Sequence, residues 1–237
     1  MGEVTGLQVT TSVASKQRRL ESLLAGGDPD APDLDAAVVD AQVLGSLELA
    51  GTDVTWDEVQ ASRRGEPAPV AITALRRAAT CVRSEEPLDR SALRRWHGAL
   101  FGGEGAFRTV DVSRSFDPPP APGELVEGRL EILEEWLNGE SGRQLHPPQI
   151  GALAMARLVE IQPFERGNGR VARLAAAHMM KRAGARPPIL VGGDRPRLEL
   201  ALSAAFRLET ELLATLLDEA SDRCLDVMIE AVRARGE

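Results

Sequence analysis

The run from Ile150 to Ile161 is apolar on nearly every side, with Ile150, Leu153, Ala154, Ala156, Leu158 and Ile161 spread around the helix rather than along one stripe. A helix of that kind has little solvent face and belongs in the middle of its domain. His146-Pro147-Pro148 opens it, with proline in the first turn, where the missing N–H is not needed. Directly after it comes Gln162-Pro163-Phe164-Glu165-Arg166-Gly167-Asn168-Gly169, and a second helical pattern follows through Val171, Leu174, Ala175, His178 and Met179. The predicted centre is therefore a pair of helices joined by a glycine-punctuated loop. The start of the second helix exposes unpaired N–H groups at its positive end, and the glycines let an anion approach the backbone. Arg170 and Arg173, three residues apart, project side by side from the first turn. Their guanidinium groups have the geometry to grip phosphate oxygens through paired hydrogen bonds. On these residues alone, a capped helix followed by solvated arginines is the plain alternative.

The rest of the chain reads as helices too. A polar, β-branched arm over 1–14 leads to a helix from Ser15 to Leu24, and the loop Asp28-Pro29-Asp30-Ala31-Pro32-Asp33 caps a helix from Leu34 to Leu49. Thr55 and Glu58 have the spacing of a capping box, and further helices are predicted over Ala71–Val82 and Ser91–Leu100. In the second of these Trp96, His97 and Phe101 read as core. A helix reaching about Leu137 carries Leu125, Leu130, Ile132, Leu133 and Trp136 as apolar positions. From Arg197 onward helical patterns recur, broken near Phe206–Glu209 and around Asp218–Ser221. Only Val110, Val112 and Phe116 have the residue types for a short hairpin.

Composition excludes several classes of function. The 36 acidic against 28 basic side chains, a net charge of −8, argue against a nucleic-acid footprint over the surface. Cys81 and Cys224 make neither a disulfide framework nor a metal-ligand spacing, and no metal site is expected. No stretch approaches the roughly 20 apolar residues of a membrane span, and the first residues lack a basic-then-apolar leader, so a cytoplasmic protein is expected. His97 reads as a hydrogen-bonded helical histidine and His146 as a surface or capping residue. His178 lies about 12 Å beyond Arg170 along the helix axis, too far to serve as a base there.

Pro163, Phe164, Gly167, Asn168, Gly169, Arg170 and Arg173 match in spacing the signature of the Fic (Fido) family, His-Pro-Phe-x-(Asp/Glu)-Gly-Asn-Gly-Arg-x-x-Arg, which this segment resembles. Gly105-Ala106-Phe107-Arg108-Thr109 is similar to the family's Gly-x-Phe-Arg-Thr ahead of its flap, so Thr109, Val110 and Val112 fall on a β-hairpin that is shorter here than usual. Ser46 and Gly51 fit the family's inhibitory motif Ser/Thr-x-x-x-Glu-Gly/Asn, but Ala50 stands at the glutamate position. Glu48 is two residues off register and does not replace it. An ordinary helix end capped by Gly51 is the alternative at that place. The resemblance implies an all-α, Fic-type helical bundle with a short β-hairpin flap. It divides the chain into an arm and first helix (1–32), an N-terminal helical region with the inhibitory-type helix (33–100), a Fic core with flap and signature loop (101–205) and C-terminal helices (206–237).

Fic enzymes transfer a nucleoside monophosphate from ATP or a related donor to a hydroxyl. By that resemblance Gly167, Asn168 and Gly169 form an anion hole, and Arg170 and Arg173 bind outer phosphates. The two catalytic positions depart from the pattern. Gln162 stands where the family has its histidine base, and an amide has no pKa with which to take a proton. Arg166 stands where the family has its magnesium-holding acid, and a cation repels the metal while serving itself as a counter-charge to phosphate. The implied function is a Fic-like protein that binds a nucleotide or phosphorylated ligand, ATP or a relative of it, with ordinary AMP transfer lost or strongly altered. The alternative is an active, divergent nucleotidyl or phosphoryl transferase, independent of metal, acting on a hydroxyl of a protein or small molecule.

Overall fold

The helices expected from the sequence are formed. The computed structural model describes residues 4–25, 33–112 and 119–234, with side chains from residue 13 onward. Among these it holds α1 (Val4–Leu24), α2 (Leu34–Leu49), α3 (Trp56–Arg63), α4 (Val70–Thr80), α5 (Arg90–Phe101), α6 (Val126–Asn138), α7 (Glu140–Arg143), α8 (Pro147–Ile161), α9 (Asn168–Arg182), α10 (Arg195–Ala205) and α11 (Glu211–Arg233). The fold is all-α, and no strand is formed among the described residues. None of their helices is long and apolar enough to cross a membrane.

The pair α8 and α9 is the centre, as the apolar run requires. Ala152, Ala154, Ala156, Ala172, Ala175 and Ala176 are all at 0% exposure. Side chains that small let the two backbones lie close together while larger residues such as Met155, Leu158 and Met180 fill the layer around them. Helix α11 packs on α8 and α2, α10 packs on α11, and α4 bridges α2 and α5. Helix α2 is pulled in tightly at Gly45, where a Cβ would lie 1.8 Å from the Leu190 carbonyl oxygen. Only glycine permits that approach, and it sets the later half of α2 against the Leu190–Val191 segment. Caps fix where elements begin: Ala36 N donates to Asp33 Oδ1 at 2.9 Å, Ala92 N to Asp89 Oδ1 at 2.6 Å, and the Thr55–Glu58 box is closed in both directions.

Four expectations need correction. Helix α1 starts at Val4 rather than Ser15, because β-branched residues weaken a helix by only tenths of a kcal/mol each and α11 packs against it. Helix α11 runs unbroken through Asp218–Ser221. Leu213, Leu216, Leu217, Ala220, Cys224 and Leu225 sustain its buried stripe, the acidic residues stand off it, and Lys16 of α1 bonds Asp222 and Asp226. In α6 the buried positions are Val126, Leu130, Leu133 and Leu137, while Leu125, Ile132 and Trp136 are exposed. Thr109, Val110 and Val112 are not in a strand, and the remainder of the expected hairpin, like the loop over 28–32, lies outside the described residues.

Candidate anion-binding site

The loop between α8 and α9 is closed by two amides. Gln162 ends α8 in a left-handed conformation (φ 52°), which costs a residue with a Cβ on the order of 1 kcal/mol. Its side chain holds the turn in place: Nε2 donates to the Val159 carbonyl at 3.0 Å, and Oε1 accepts from Asn168 Nδ2 at 3.1 Å. Asn168 also donates to the Phe164 carbonyl at 2.7 Å and accepts the Phe164 N–H at 2.9 Å. Both residues are buried. Gln162 is thus turned into the loop as part of a clasp, and Asn168 spends its amide on the loop itself.

Arg108 locks this loop to the segment ahead of it. Its backbone N–H donates to the Pro163 carbonyl at 3.0 Å. Its buried guanidinium donates to the carbonyls of Gln162 (2.6 Å), Val110 (2.8 Å), Ile161 (3.0 Å) and Ala121. Two of these are the terminal carbonyls of α8, where a cation is favoured by the helix dipole. Burial lowers the Arg108 pKa, and Asp111 partly opposes this. Asp111 itself accepts the Gly123 N–H at 2.7 Å, so the Thr109–Val112 stretch is held at Val110 and at Asp111.

Helix α5 supplies a platform that the sequence does not announce. The His97 ring stacks on Phe164 with centroids 4.0 Å apart and planes 5° from parallel, and Nε2 donates to the Arg166 carbonyl at 3.3 Å. Burial lowers the His97 pKa below the usual histidine value; the hydrogen bond to the Arg166 carbonyl opposes this, and the charges of Arg166 and Arg170 add to it. One turn on, Phe101 lies beneath both arginines: the Arg166 and Arg170 guanidinium carbons are 4.6 and 4.7 Å from its ring centre. That ring leaves no room at the loop's end. A Cβ on Gly167 would fall 2.3 Å from Phe101 Cε2, and the φ of +78° there also calls for glycine. His97 and Phe101, four apart on α5, read as core from sequence; what distinguishes them is their partner, which only the fold brings near.

Arg173 reaches across to α2, where Nε donates to Ser46 Oγ at 2.8 Å and Nη2 to the Ser46 carbonyl at 2.9 Å. Both acceptors are neutral. Burial, then the charges of Arg170 and Arg195, bring its pKa down to about 9, which still leaves it charged at neutral pH. Ala50 is exposed at the end of α2, with Gly51 beyond it at φ +77°. Glu48 faces elsewhere and accepts the Gly192 N–H at 2.9 Å. Among the described residues no carboxylate forms an ion pair with Arg166, Arg170, Arg173 or Arg195. The first two residues of α9, Asn168 and Gly169, present N–H groups that a helix leaves without internal acceptors. The donor set does not fit magnesium: the residue at the acidic position is a guanidinium, with Arg170 beside it on the same ring. His178 is apart from all this, buried against Trp96 with ring centroids 5.6 Å apart, and His146 is the N-cap residue of α8.

Residues 87–180 match the model of the Fic/DOC family. Over 127 residues the chain is 33% identical to proteins named "Protein adenylyltransferase Fic" from Drosophila grimshawi and Drosophila melanogaster, a span of 54% of this chain and 26% of theirs. The match therefore covers about a quarter of the length of those relatives. In three dimensions the chain is similar to a Fic-1 fragment from C. elegans, with a TM-score of 0.75 at 20% identity over 97% of this chain and 74% of that one. It is also similar to a Fic-domain-containing signaling protein from Bacteroides thetaiotaomicron, with a TM-score of 0.76 at 19% identity over 94% of this chain and 97% of that one.

Proposed function

Since the chain has the Fic fold and belongs to the Fic/DOC family over residues 87–180, we propose that it binds a nucleoside triphosphate or a related phosphorylated ligand over the start of α9 without a metal, and that ordinary AMP transfer is lost or strongly reduced. The observation that carries this reading is the set of guanidiniums around the loop that lack carboxylate partners among the described residues. Arg166 and Arg170 are held in place by Phe101, and Arg173 by Ser46. Charge stabilisation of a phosphate chain is mostly a matter of placing fixed positive groups before the ligand arrives. Here the amides at the head of α9 meet one phosphate, and the guanidiniums offset its neighbours. Arg166 supplies the positive charge that a divalent ion supplies elsewhere.

The loss of transfer follows from Gln162. Its Oε1 is already occupied by Asn168, and its amide takes no proton from an attacking hydroxyl. Removing general-base assistance costs about 10²- to 10⁴-fold in rate. A slow, metal-independent transferase acting on a hydroxyl of a protein or small molecule is the second reading, favoured by the same arginines, which would also stabilise a transition state.

Thermal unfolding tests the first reading. At a hundred times its Kd, ATP stabilises by about 2.7 kcal/mol, or roughly 5–10 °C for a domain of this size, and the shift is expected to be the same in magnesium and in EDTA. A shift that needs magnesium refutes the role given to Arg166. Label transfer from ATP separates the readings, with the double change Gln162→His and Arg166→Asp expected to strengthen it. Efficient transfer by the unaltered protein would move the conclusion to the second reading.

A further inference from the structure

Two guanidiniums from different helices converge on the last turn of α2. Arg173 of α9 holds Ser46, and Arg195, the first residue of α10, donates through Nη2 to the Glu48 carbonyl at 2.8 Å. That Nη2 lies 3.8 Å from where a Cβ on Gly51 would stand, so Arg195 flanks the turn that carries the exposed Ala50. The nearest acid on this turn does not balance the pair, because the Glu48 carboxylate is bound to the Gly192 N–H. Capping the carbonyl end of α2 accounts for one of Arg195's five N–H donors. It does not account for a second cation brought to the same turn as Arg173, with no carboxylate paired to either among the described residues. An anion between them would remove their repulsion and use the free donors of the exposed fork.

We propose that Arg195, which lies outside the signature, joins Arg173 in a subsite for the outer phosphates, and so selects ligands with a triphosphate chain over monophosphates. The inference rests on the nucleotide-binding reading above and names the ligand class that reading leaves open. In it the inner phosphate lies at the α9 amides and Arg170, and the terminal phosphate lies between α9 and α10, beside position 50.

The test measures binding of ATP, AMP and inorganic triphosphate in EDTA to the unaltered protein and to Arg195→Ala and Arg195→Lys. Losing one or two charge-assisted hydrogen bonds is expected to weaken ATP and triphosphate by about tenfold or more in Arg195→Ala, with AMP within about twofold. Arg195→Lys keeps the charge and recovers part of the loss. Unfolding of the ligand-free variants reports the capping role by itself. If ATP does not bind the unaltered protein, the nucleotide-binding reading and this inference both fail. If ATP binds but its preference over AMP is unchanged in Arg195→Ala, or all three ligands weaken equally, only the Arg195 subsite is overturned.

Discussion

Replacing Arg108 by methionine keeps the stem's apolar bulk and removes the guanidinium, which stands buried with four carbonyl acceptors and no ion pair among the described residues. Gln162, Ile161 and Ala121 are themselves buried at 3%, 4% and 3% exposure, so their carbonyls gain little from water after the change, whereas Val110 is 58% exposed and rehydrates. Leaving three buried acceptors unmet costs about 1–3 kcal/mol each. Relief from holding a buried cation, together with the apolar stem, offsets part of that. The net expectation is a loss of about 3–5 kcal/mol, a fall in Tm of roughly 6–20 °C at this chain length. Urea unfolding followed by circular dichroism at pH 7.5 reads it directly. Arg108→Lys, which keeps the charge but cannot fork to four acceptors, is expected to lie between the two. A methionine variant within about 1 kcal/mol of the parent would mean that these carbonyls find other partners, and that Arg108 does not hold the loop.

Phe101→Leu removes the surface under two guanidiniums, each worth about 0.5–1 kcal/mol. Metal-free ATP binding should weaken by roughly 5- to 30-fold, and an unchanged Kd by calorimetry would remove Phe101 from the site. His178, at 1% exposure, has its pKa pushed down to about 4 by burial and then by the Arg182 charge, which the Glu86 backbone opposes only in part. The unfolded chain, with histidine near 6.5, binds the proton more readily, so this contribution is complete above about pH 6.5 and declines as pH falls towards 4. The loss reaches about 2.5 kcal/mol by pH 4.5. Comparing unfolding of the parent and His178→Phe at pH 7.5 and 4.5 checks it, since the variant should lose correspondingly less stability on acidification.

The helical architecture was legible because its signals are local. The apolar run into Ile161, the proline at its start and the Gly-Asn-Gly stop specify α8, the loop and α9 within about thirty residues of sequence. The misread break in α11 came from weighing Asp218–Ser221 by polarity, when an acidic outer face is what a helix packed on one side displays. The site was legible only where it follows the chain. Arg170, Arg173 and Asn168 could be named from the turn they sit on, but Phe101 and His97 meet Gly167 and Arg166 across 66 and 69 residues, Arg195 meets Glu48 across 147, and no periodicity encodes such meetings. Glycine at 167 is a case in point: the motif predicts it, while its need to clear the Phe101 ring becomes visible only once α5 is in place.

Gln162 and Asn168 fasten the loop with two carboxamides. Such a fastening carries no proton to gain or shed, so the join between the end of α8 and the head of α9 keeps its hydrogen bonds at pH values where His178 is already working against the fold. A protein shut by an imidazole at that join would lose the clasp itself on acidification; here acid reaches the loop from outside the clasp, through His97 on α5.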